Sequence, residues 1–125
     1  MKVIDAGAIV QLLVGGLAPE SLGEAPLAAP HLIDCEVISA LRTLERRQQL
    51  TSAQANDAMI GFLGMDISRY PMDWLRPRVW ELRHNLSAYD AAYVALAEAL
   101  DVESLLTVDA RLARAPGTRC HVELL

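Results

Sequence analysis

Short strand-like runs alternate with helical segments along the whole chain, and that alternation constrains the fold more than any other feature. "KVID" is a short strand ending at Asp5. "AGAIVQLLVG" continues at helical spacing and stops at Gly15–Gly16, a natural helix end. The stretch "APESLGEAPLAAPH", punctuated by Pro19, Pro26 and Pro30, has room for at most one short helix. "LIDCEVISALRTLERRQQL" is amphipathic, with Ile33, Val37, Leu41 and Leu44 on one side and Arg42, Glu45, Arg46 and Gln49 on the other. Thr51 or Ser52 can cap a further helix, "AQANDAMIGFLG". "MDISRYP" is a strand, and "DWLRPRVWELRHN" is a helix that tolerates Pro77 only in its first turn. "SAYDAAYVALAEAL" is a helix that is apolar nearly all the way round. "ESLLTV" then forms a buried strand, "ARLARA" a short helix closed by Pro116–Gly117, and "RCHVELL" a terminal strand. The pattern predicts an α/β fold: a mainly parallel sheet with helices on both faces. The 125 residues suffice for one domain over 1–125 and not for two.

Composition narrows the function classes. No apolar run is long enough to span a bilayer, and Asp5 interrupts the apolar start that an export signal needs. Cys35 and Cys120 form no metal-binding spacing and are expected as small core fillers in a reducing, cytoplasmic setting. The net charge of -5 argues against a whole-surface basic footprint for nucleic acid, though not against a local patch. Of the 11 basic residues only Lys2 is lysine.

Ligands of parallel sheets bind beyond the carboxyl ends of the strands. Asp5 ends the first strand and Asp109 follows "SLLTV", so two acids share that edge. Each has a plain structural account. Asp5 and Asp109 can cap the helices that follow them, and Ser87 and Asp90 have capping-box spacing. Together the acids point elsewhere. Glu36 shares a side with Leu32, Ile33 and Ala40, and Asp90 lies in an apolar helix, yet no basic residue stands one turn away on either face. An unpartnered buried carboxylate costs several kcal/mol or becomes protonated. A divalent cation would partner all four acids at once, and Mg²⁺ takes oxygen ligands of this kind.

The strand end "VIDAGAIV", the helix "LIDCEVISALRTL", and above all "YDAAYVALAEAL" followed by "TVDARL" resemble PIN-domain ribonucleases, most closely the VapC-type toxins of bacterial toxin–antitoxin pairs. The resemblance runs in order over nearly the whole chain. It implies a three-layer α/β/α sandwich and a Mg²⁺- or Mn²⁺-dependent endoribonuclease. It places Asp5, Glu36, Asp90 and Asp109 at the family's acidic positions and Thr107 at its hydroxyl beside the last acid. It further implies a homodimer, neutralised by an antitoxin whose C-terminal segment occludes the acidic pocket. The chain departs from the family at Gly7, where such toxins often carry Ser or Thr.

Hydrolysis of RNA needs an activated water and charge neutralisation at the phosphate, which a metal held by acids supplies. Asp5 and Asp90 are the expected direct ligands and Asp109 a ligand through water. Glu36 either holds a second ion or orients the water. Thr107 would hydrogen-bond a carboxylate or the water. Arg111 is the nearest candidate for a phosphate contact, followed by Arg114, Arg42 and Arg46, although Arg42 and Arg46 also fit a solvated helix face. His31 and His84 read as surface or capping residues, Asn85 as a turn residue, and Phe62, Trp74 and Trp80 as core or dimer surface. A phosphoryl-receiver reading lacks its lysine, and a haloacid-dehalogenase reading lacks the second aspartate, where Gly7 stands. The remaining alternative is a PIN scaffold that only docks a partner protein.

Overall fold

The computed structural model describes residues 1–125. Its five strands are β1 (Lys2–Ile4), β2 (Leu27–Pro30), β3 (Ile67–Tyr70), β4 (Leu105–Thr107) and β5 (Val122–Leu124). They form one sheet in the order β3-β2-β1-β4-β5, and every neighbouring pair is parallel. The helices are α1 (Ala6–Leu13), α2 (Leu32–Arg46), α3 (Ser52–Leu63), α4 (Arg76–Glu81), α5 (Ala88–Ala99) and α6 (Ala110–Ala113). The first three pack on one another, and α4 packs on α5. β1, β2 and β3 step one way across the sheet, and the chain then returns past β1 to β4. Right-handed crossovers therefore put the two helix groups on opposite faces. None of these helices is long and apolar enough to cross a membrane.

Local chemistry explains most boundaries. Asp5, Thr51, Ser87 and Asp109 cap α1, α3, α5 and α6 through their side chains. Thr51, not Ser52, is the α3 cap, and with Gln54 it makes a complete capping box. α5 is buried from Ala91 to Ala97 without a break, which is why its sequence carries no polar stripe. Val3, Ile4, Leu105 and Leu106 are fully buried at the middle of the sheet.

Three expectations need correction. The proline-rich stretch holds a 3₁₀ turn at Pro19–Leu22 and also the interior strand β2. Its residues, "LAAP", lack the β-branched signal. Alanines serve there because α5 packs directly on β2, and Ala28 and Ala29 are fully buried. The segment from Asp73 is not one helix: a 3₁₀ turn over Asp73–Leu75 precedes α4, which ends at Glu81. Pro77 does fall in the first turn of α4. Cys35 is exposed and Cys120 half-buried, so neither is a core filler. Phe62 is core, whereas Trp74 and Trp80 are exposed.

The C-terminal segment is tied down by polar contacts. Arg78 grips Glu98 with two hydrogen bonds of 2.7 and 3.1 Å and donates to the Gly117 carbonyl at 2.7 Å. The Arg119 amide donates to Glu98 at 2.7 Å. Burial pushes the Glu98 carboxyl up, but Arg78 and that amide outweigh it and hold it below its ordinary value. Glu98→Ala would leave Arg78 without its main partner beside α5. The expected loss is about 3 kcal/mol, measured by urea denaturation, with Glu81→Ala as a near-neutral control because that contact is solvent-exposed.

Candidate active site

Strand order reverses between β1 and β4, and the acids gather at the carboxyl ends of those two strands. Asp5 is only 8% exposed. Its Oδ1 accepts from the Ala8 amide at 2.8 Å, and its Oδ2 accepts from the Thr107 hydroxyl at 2.5 Å. Thr107 also accepts from the Asp109 amide at 3.0 Å. One hydroxyl thus links the end of β1 to the loop that carries Asp109. The capping account of Asp5 is correct, and it coexists with a place in the acidic cluster.

Glu36 reaches the cluster from α2 and accepts from the Tyr93 hydroxyl at 2.8 Å. Asp90 enters from the first turn of α5, where its amide donates to Ser87 Oγ at 3.2 Å. The reciprocal bond of a capping box does not form, so the Asp90 carboxylate stays available. Asp109 accepts from the Arg111 amide at 2.8 Å and from the Arg111 guanidinium at 3.5 Å.

Electrostatics separates the four. Burial pushes the Asp5 carboxyl up despite its hydrogen bonds to Thr107 and Ala8, and Asp90 and Asp109 push the same way. Burial likewise raises Glu36 against the opposing Tyr93 bond, with Asp90 and Asp5 adding repulsion. Asp90 is raised by burial and then by Asp109. Asp109 alone is lowered, first by the Arg111 amide and further by the guanidinium. These mutual influences place all four acids in one electrostatic neighbourhood. Yet no three His, Cys, Asp or Glu side chains stand ready as a metal ligand set. The sequence expectation of a four-acid cage is therefore not met as a preformed cage. The arrangement suits an ion held by one or two carboxylates, with water completing its shell.

Two depressions flank the cluster. A cleft of about 390 Å³ is lined by Asn85, Ser87, Asp90, Asp109 and Arg111, among others. A groove of about 660 Å³ runs between α1 and α2, with Glu36, Ser39, Thr43 and Leu44 along it and Tyr89 at its edge. Of the four candidate arginines only Arg111 lines either depression. Arg42 and Arg46 are exposed on α2, about 9 and 15 Å along the axis from Glu36, and Arg114 is exposed at the end of α6. His31 and His84 are exposed and line neither depression. Sequence reasoning missed two contributors. Asn85 lines the cleft and donates to the Pro116 carbonyl at 3.4 Å. Tyr93 meets Glu36; its place on the Asp90 side of α5 was a legible signal, but its partner on α2 was not.

No family model matches the chain. Curated relatives do. It is 41% identical to VapC ribonuclease Mb0985 of Mycobacterium bovis, covering 100% of this chain and 98% of that one. It is 43% identical to ribonuclease VapC1 of Mycobacterium tuberculosis, with 98% and 96% covered. The chain belongs to the VapC ribonuclease family. Ribonuclease VapC12 of M. tuberculosis is a further relative at 35% identity over 100% of this chain and 99% of its own length. Among solved structures, the VapC fold is matched by M. tuberculosis VapC20, a sarcin–ricin-loop-cleaving toxin, with a TM-score of 0.68 at 18% identity over 94% and 96% of the two chains. PAE2754 of Pyrobaculum aerophilum matches with a TM-score of 0.65 at 23% identity over 97% and 87%. The PIN-like α/β/α architecture expected from the sequence is the one observed.

Gly7 can be tested directly. A β-carbon there would meet Val108 Cγ2 at 3.4 Å and Asp5 Oδ1 at 3.6 Å, both ordinary contacts. Gly7→Ala in α1 is expected to fold and gain about 0.5 kcal/mol, read as a higher Tm. The raised acids predict an unusual pH response. Where folded carboxyls bind protons more tightly than unfolded ones, stability falls as pH rises. The metal-free protein should therefore become more stable as pH drops from neutral toward the ordinary carboxylate value of about 4. Below that value, Glu98, Asp34 and Asp109, whose folded values are lowered, reverse the trend. Asp90→Asn should flatten the rise and match or exceed the metal-free wild type at pH 7 by up to about 1 kcal/mol, measured by urea denaturation across pH.

Proposed function

We propose that this VapC-family chain is a metal-dependent endoribonuclease toxin that hydrolyses RNA phosphodiester bonds. One observation carries the reading: Asp5, Glu36 and Asp90 converge at the sheet's switch point with raised carboxyls and no bound cationic side chain, while the arginine nearby engages Asp109. Carboxylate oxygens and a hydroxyl, with no thiol or imidazole among them, suit a hard cation such as Mg²⁺ or Mn²⁺. Asp5 and Asp90 would hold it directly and Asp109 through water. When bound, the ion supplies Lewis acidity and a water acidic enough to attack at neutral pH.

The chain's own groups do the rest. Thr107 holds Asp5 in a single orientation through its hydroxyl. Glu36, which lines the neighbouring groove, would hold a second ion or orient the attacking water. Arg111 is 90% exposed at its side chain and meets Asp109 only at 3.5 Å, so it can turn to a phosphate oxygen as RNA arrives. The names of the relatives, each a VapC ribonuclease, support RNA as the substrate. The groove beside Glu36 suits the C-terminal segment of a cognate antitoxin, which would cover the acids while seated there. A homodimer in the cytoplasm completes this reading. No observation favours the docking-only scaffold.

The test is incubation of purified protein with total RNA in Mg²⁺ or in EDTA, with mapping of new 5′ ends. Discrete new ends should appear with Mg²⁺ or Mn²⁺ and vanish with EDTA. Asp90→Asn should lower cleavage about 100-fold or more with its fold intact by circular dichroism. Cleavage that persists in EDTA would refute the metal-dependent mechanism.

A further inference from the structure

Tyr93 is 1% exposed, the largest fully buried side chain of the protein. A buried phenol needs a partner for its hydroxyl, and here the partner is a carboxylate. The hydroxyl donates to Glu36 Oε1 at 2.8 Å, across 57 positions of sequence. A single hydroxyl therefore joins α5 to α2. Asp90 lies three residues before Tyr93 on α5, on the neighbouring turn of the same side. Glu36 is half-buried, has no cationic partner and is bound by no other side-chain donor. Its side chain has three rotatable bonds, and without an anchor it would sample several rotamers toward the open groove.

We propose that Tyr93 is a positioning residue for the nuclease reaction: by holding Glu36 Oε1, it fixes this carboxylate beside Asp5 and Asp90 and leaves Oε2 free for the ion or its water. The assignment rests on the endoribonuclease reading above. Ring packing alone does not require the bond, because a phenylalanine fills nearly the same volume. Groups that orient ligands from behind tune metal sites in this way.

The experiment compares wild type with Tyr93→Phe, Glu36→Asp, Glu36→Gln and Tyr93→Phe/Glu36→Gln. The probes are Mn²⁺ alone, by calorimetry and electron paramagnetic resonance, and a short RNA spanning a cleavage site mapped in total RNA. Tyr93→Phe should keep the wild-type circular dichroism spectrum and a KM within about twofold. Its kcat should fall about 10- to 100-fold, and Mn²⁺ should bind correspondingly more weakly. Glu36→Asp, one methylene too short to reach the phenol, should lose kcat and Mn²⁺ affinity similarly. Failure of Tyr93→Phe to fold would overturn the positioning assignment, because the bond would then be structural. Added to Glu36→Gln, Tyr93→Phe should cost nothing more, since the two act as one unit. Wild-type kcat and Mn²⁺ affinity in Tyr93→Phe would overturn the proposal, and so would losses that simply add to those of Glu36→Gln. If the wild type binds Mn²⁺ but cleaves no RNA, the nuclease reading fails, and the Mn²⁺ comparison still decides the role of Tyr93.

Discussion

The hydrogen bond from Thr107 to Asp5 spans the one place in the sheet where the strand order reverses. An aspartate this buried cannot rely on water, so each oxygen must be satisfied by the protein. The Ala8 amide and the Thr107 hydroxyl do this. Because Thr107 also accepts from the Asp109 amide, the same contact sets the position of the loop after β4. The other acids are then placed relative to Asp5: Asp90 by the cap of α5, Glu36 by the phenol of Tyr93.

Charge is distributed to match. The arginines with strong carboxylate contacts lie away from the acids: Arg69 forks onto Asp34 at 2.8 and 2.9 Å and ties β3 to α2, while Arg78 forks onto Glu98. Both are structural clamps. At the switch point only Arg111 approaches, and its contact is long and exposed. Three raised carboxyls in a shared neighbourhood make a negative centre that the fold tolerates without neutralising. Such a centre destabilises the chain, and a cation bound there would relieve the repulsion.

Much of this was legible from the residues. Strand ends at Asp5 and before Asp109 followed from hydrophobic runs that stop at a capping acid, a local signal. The apolar girth of α5 announced a buried helix. The strand β2 was not legible, because "LAAP" between prolines has no alternation and little β propensity. Its place beside β1 comes from close packing under α5, which needs small side chains. The two arginines of α2 were legible only in part. Periodicity tells which side of α2 is polar but not what lies beside it, and Arg42 and Arg46 are exposed and line neither depression. Cys35 is another case: it is exposed and lines the groove beside Glu36 rather than filling the core.

The sequence by itself determined the α/β class, most helix starts and the identity of the acids, since caps, breakers and hydrophobic runs act over a few neighbouring residues. Tertiary structure alone decided which acids are free and which is paired, that the four form a shared field and not a closed ligand cage, and that Tyr93 holds Glu36. Those outcomes depend on contacts between residues far apart in the chain, such as 36 with 93 and 5 with 107. Burial and Coulomb forces there depend on distance in space, which no local pattern encodes.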